Sequence, residues 1–111
     1  MELKQQLIGQ VTVIEVSGRV DSANAPVLQD RVGALISGGA SAILLDLANV
    51  EYISSAGFRS LLILAKQSSQ SKAHFGLCSL SPKMRRLFDL GGFLDLLPIA
   101  STREEGLAAA G

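Results

Sequence analysis

From Ser41 to Leu47 the chain reads SAILLDL, with only Ser41 and Asp46 polar. A strand so evenly apolar has no solvent face and needs cover on both sides, as strands of parallel sheets have. Its neighbours can supply that cover. Upstream, Leu28, Val32, Leu35 and Ile36 recur at helical spacing after Pro26, which suits the first turn of a helix, and Gly38-Gly39 stops the pattern. Downstream, a helix is expected from about Ser55 to Gln70, with Phe58, Leu61, Leu62, Ala65 and Ser69 along one face at about 100° per residue.

The same logic orders the rest of the chain. QQLIGQVTVIEVSG reads as two strands around a turn at Gly9-Gln10. In the second of them Val11, Val13 and Glu15 alternate with Thr12, Ile14 and Val16, so its centre is apolar on both faces. GRVDSANAP is expected as a loop, and HFGLCSL as a further strand. Ser81-Pro82 is an N-cap and first-turn pair for a helix burying Met84, Leu87 and Phe88, which Gly91-Gly92 ends. FLDLLPIA adds a last short strand, and Thr102 and Glu105 have capping-box spacing before a final helix. The expected fold is α/β, in the order β-β-α-β-α-β-α-(β)-α. It has a mixed sheet of four to five strands, about four helices and right-handed crossovers. No repeat or low-complexity linker interrupts it, so residues 1–111 are expected to form one domain.

Composition excludes several roles. Ten basic and ten acidic residues balance, which provides no general attraction to nucleic acid or anionic membrane; KMRR, from Lys83 to Arg86, is the only basic cluster and reads as a solvated helix face. MELKQQ is no signal peptide, and no apolar run has the length of a membrane span, so a cytoplasmic protein without membrane insertion is expected. Cys78 is the only cysteine and His74 the only histidine, too few for a conventional structural zinc site. Neither a P-loop nor a dinucleotide fingerprint is present, and no cofactor is expected.

The residues that bear on function lie in EYISSAGF, Glu51 to Phe58. The two serines there can cap the following helix, act as nucleophiles or receive a phosphate. A serine before an apolar periodic run caps readily. A nucleophile would need His74 as its base. Ser55 follows the C-terminal edge of one strand, whereas His74 opens the next parallel strand at the opposite edge. A strand of about five residues separates such edges by roughly 16 Å. The G-x-S-x-G elbow is also missing, and an enzyme is not expected. A phosphate acceptor fits an exposed hydroxyl at a helix N-terminus, where free N–H groups and the helix dipole favour negative charge. Gly57 is expected to leave that first turn open to another protein's active site.

GRVDSANAP, LLDLANVEYISSAGFRSLLILAK and the order of elements together resemble the STAS domain, specifically bacterial anti-sigma factor antagonists, from about Leu3 to Leu107. The resemblance implies a protein that binds an anti-sigma factor, itself a serine kinase of the histidine-kinase-like ATPase type, and so releases a sigma factor. Phosphorylation by that kinase ends the binding and a serine phosphatase restores it. Aligning Gly57 with the family glycine puts Ser55 at the phosphorylated position, with Ser54 as second choice; many members have aspartate at 54. Asp21 and Asn24 match the loop placed beside the phosphosite, where ordinary turn chemistry is the alternative reading. On the helical wheel Ile63 and Leu64 fall away from the apolar stripe together with Ser60, and these three are expected at the partner surface, with burial against a neighbouring helix as the alternative. The resemblance also admits a STAS component of another partner-switching scaffold or of a membrane transport complex.

Overall fold

Two residues, Gly9-Gln10, reverse the chain between β1 (Glu2–Ile8) and β2 (Val11–Val20), with Ile8 paired to Val11. Gly9 has φ +60° and Gln10 is not left-handed, the pattern of a type II′ hairpin turn with glycine first. The computed structural model, which describes Met1–Gly111, continues with α1 (Ala25–Ser37), β3 (Ala42–Ile53), α2 (Ser55–Gln70), β4 (His74–Cys78), α3 (Pro82–Leu90), β5 (Ile99–Ala100) and α4 (Arg103–Ala110). The sheet order is β1-β2-β3-β4-β5; β1 is antiparallel to β2 and every other pair is parallel. The expected element order and mixed sheet are therefore the observed ones.

Strand lengths differ from expectation in one informative place. GRV, expected in a loop, is the end of β2, and β3 runs past Leu47 to Ile53. The two strands stay paired to Val20↔Ile53 through register shifts after Glu15 and Gly18, whereas β4 leaves β3 at Asp46. A two-stranded ribbon thus projects beyond the rest of the sheet. The hydrophobic pattern hides it because Ala48, Asn49 and Glu51 are exposed there.

The two faces of the sheet are covered unequally. Ile14, Val16, Ile43, Leu45 and Leu47 meet Leu28 and Val32 of α1, Phe58, Leu61 and Leu64 of α2, and Met84 and Phe88 of α3 in one large core. On the other face Val11, Val13, Leu44 and Cys78 pack under Leu107 and Ala110 of α4. Arg103 pins α4 to that face: its Nε donates to Asp46 Oδ2 at 2.9 Å, and its Nη2 donates to Glu15 Oε1. These two carboxylates raise the Arg103 pKa. Both expected caps form. Ser81 Oγ accepts the Met84 N–H at 3.2 Å, and Thr102 Oγ1 accepts the Glu105 N–H at 3.1 Å; Glu105 in return accepts from Ser101 N–H, one residue before the cap.

Candidate functional site

The ribbon ends where the double serine begins. Ser54 N–H donates to Val20 O at 2.8 Å, which fastens the start of α2 to the end of β2. Ser54 is in extended conformation and its Oγ accepts the Gly57 N–H at 3.3 Å, so Ser54 is the N-cap. Ser55 is the first helical residue, exposed, and its hydroxyl has no protein partner. The cap therefore falls to Ser54, and the Ser55 hydroxyl is left free.

Asp21 and Asn24 lie in the turn that follows Val20. Asp21 Oδ1 accepts from the N–H groups of Ala23 and Asn24, at 3.0 and 3.2 Å. Asn24 Oδ1 accepts from Asp21 N–H at 2.9 Å, and its Nδ2 donates to Arg19 O at 2.9 Å. Each side chain is spent on turn geometry, and Asn24 makes no side-chain cap to α1. Gly57 corrects an expectation. Its missing side chain faces inward, since a Cβ there would stand 2.6 Å from Ile53 Cγ2 and 3.0 Å from Val20 Cγ1. The glycine lets α2 sit tightly on the ribbon; it does not open the surface.

Two partner-surface expectations are likewise corrected. Leu64 is fully buried, and Ser60 is buried with its Oγ donating to Gln29 Oε1 of α1 at 3.1 Å. The buried stripe of α2 is Gly57, Phe58, Ser60, Leu61, Leu64 and Ser68 because the helix packs on α1 as well as on the sheet. Ile63 is 41% exposed, as expected.

Beside Ser55 opens a groove of about 490 Å³ between the start of α2 and the end of α3. Phe58 forms its base, stacked on Phe93 with centroids 4.3 Å apart and edge-on to Phe88 at 4.8 Å. Tyr52, Ile53, Leu62 and Leu87 complete the apolar lining, and Arg59 is the only charged residue in it. Arg19 lies over the Tyr52 ring, 4.6 Å from its centroid. The sequence reading missed this groove. Arg59 and Leu62 were legible one and two turns beyond Ser55, but nothing local brings Phe93 back onto Phe58.

No serine–histidine dyad exists. His74 pairs with Ala42 at the start of β3, and the twelve-residue strand separates it from Ser55. No cluster of three or more His, Cys, Asp or Glu residues comes together to hold a metal, and no helix is long and apolar enough to cross a membrane.

The sheet is hairpin-led and otherwise parallel, and an exposed serine opens its second helix, which together define an α/β domain of one recognisable class. The chain belongs to the STAS domain family, whose model matches residues 3–106. It is 38% identical over 109 residues to BtrV of Bordetella bronchiseptica, which carries an anti-sigma factor antagonist name, covering 98% of this chain and 94% of that one. A crystal structure of an anti-sigma factor antagonist from Mycobacterium paratuberculosis matches with a TM-score of 0.88 and 28% identity, over 98% of this chain and 92% of that one. The Bacillus protein SpoIIAA in its phosphorylated form shares the fold, with a TM-score of 0.76 and 19% identity over 99% and 100% of the two chains.

Proposed function

We propose that this chain is an anti-sigma factor antagonist that works by partner switching. In its unmodified form it binds an anti-sigma factor that is also a serine kinase, and phosphorylation of Ser55 ends that binding until a serine phosphatase removes the phosphate. The observation that carries this reading is the division of labour between the serines: Ser54 is committed to the cap, while Ser55 offers a free, exposed hydroxyl beside an apolar groove. Aspartate, which the family resemblance implies at position 54 in many members, is an equally good N-cap, so a serine there preserves the cap without competing as the switch. Names borne by the relatives, BtrV among them, support the antagonist role. The contact surface comprises the start of α2, the exposed Ile63 and the turn holding Asp21 and Asn24, in the cytoplasm. Incubating the purified chain with ATP and the candidate kinase, then mapping the phosphate, tests this reading. Phosphate on Ser55 is expected; phosphate on Ser54 alone, or on neither serine, would overturn it.

A further inference from the structure

We infer that Arg59 has two alternating partners: an acidic group of the bound protein while Ser55 is unmodified, and the phosphate itself once Ser55 is phosphorylated. This rests on the reading of Ser55 as the acceptor. Ser55 and Arg59 stand four residues apart on α2, both exposed, and line the same groove. An anion placed N-terminal to a cation at this spacing is the favourable order on a helix. A guanidinium forms bidentate, charge-assisted bonds to phosphate and to carboxylate alike.

Arg59 is free for both roles. The ion pairs of the chain are Lys4 with Glu2 and Arg103 with Glu15 and Asp46, so no carboxylate holds Arg59. The first turn of α2 contains no acidic residue either. Arg19, the other cation nearby, is already engaged with the Tyr52 ring. An unpaired cation in an otherwise apolar groove fits a partner segment with an apolar anchor and a carboxylate beside it. Phosphorylation then acts twice: it puts charge into the contact, and it draws Arg59 away from the partner's carboxylate.

The test uses full-length chain with phosphoserine inserted at position 55 during translation, titrated by ³¹P NMR. The phosphate in the wild-type background is expected to titrate about 0.3 of a pH unit lower than in Arg59→Gln, with Arg59→Lys retaining part of the effect. Arg19→Gln is expected to leave the titration unchanged. Identical titration in wild type and Arg59→Gln would overturn the phosphate role, as would a shift reproduced by Arg19→Gln. In the unmodified chain Arg59→Gln is expected to weaken partner binding about tenfold, and in the phosphorylated chain hardly at all; equal losses in both states would overturn the alternation. The inserted phosphate needs no kinase, so a chain whose Ser55 is never phosphorylated by its kinase would sink the proposed function while leaving the titration result standing.

Discussion

Ser54 and Ser55 are chemically identical neighbours, and one helix start gives them different work. At the N-cap, Ser54 has extended backbone and turns its oxygen onto the Gly57 N–H. One residue later the backbone is helical, and the Ser55 side chain points away to solvent. Ser54→Ala is therefore expected to cost about 1 kcal/mol of stability. Ser55→Ala should stay within about 0.5 kcal/mol of wild type, as an exposed side chain without partners does. Urea denaturation midpoints check this; equal losses at the two positions would contradict the division of roles. Position 57 shows the same precision, because any Cβ there would collide with Ile53 and press on Val20.

At the scale of elements, α2 decides what the sequence shows. Its limits, Ser55 to Gln70, follow from caps and periodicity and are the observed ones. The apolar stripe is misplaced by a rotation because hydrophobicity alone marks the side facing the sheet, while α1 also buries polar Ser60. A serine in a helix–helix contact carries no hydrophobic signal. The groove was illegible for a different reason: Gly91 permits the close return of Phe93, with a Cβ position only 2.5 Å from its ring, and that contact depends on tertiary packing. The Ser54–Ser55 pair was legible because caps are local chemistry. Adjacent residues on α2 now separate stability from binding. Leu64→Ala is expected to lose about 2–5 kcal/mol of stability. Ile63→Gln is expected to remain within about 0.5 kcal/mol of wild type in thermal melts yet bind the partner more weakly. A large loss of stability at Ile63 would remove it from the partner surface.

For the whole molecule, the thin side of the sheet differs from the thick one in chemistry. Cys78 lies under α4, fully buried, and its thiol pKa is raised above the ordinary 9.0, first by desolvation, despite a hydrogen bond with Ser79 that lowers it. Unfolded chains ionise this thiol first, so its contribution to stability is complete below about pH 9 and is lost as pH rises toward the folded value. Stability measured from pH 8 to 10 should therefore fall more steeply in wild type than in Cys78→Ala; parallel curves would contradict it. Ser55, the proposed acceptor, opens α2 just past the end of the projecting ribbon, and a phosphate at a helix N-terminus suits the helix dipole. The fold is thus expected to tolerate modification that its interface does not. The most direct measurement is the affinity of the anti-sigma partner for unmodified chain and for chain phosphorylated at Ser55, with melting temperatures alongside. Binding is expected to weaken at least about a hundredfold while the melting temperature stays within a few degrees. Equal affinity in the two forms, or weakened binding accompanied by unfolding, would contradict the account.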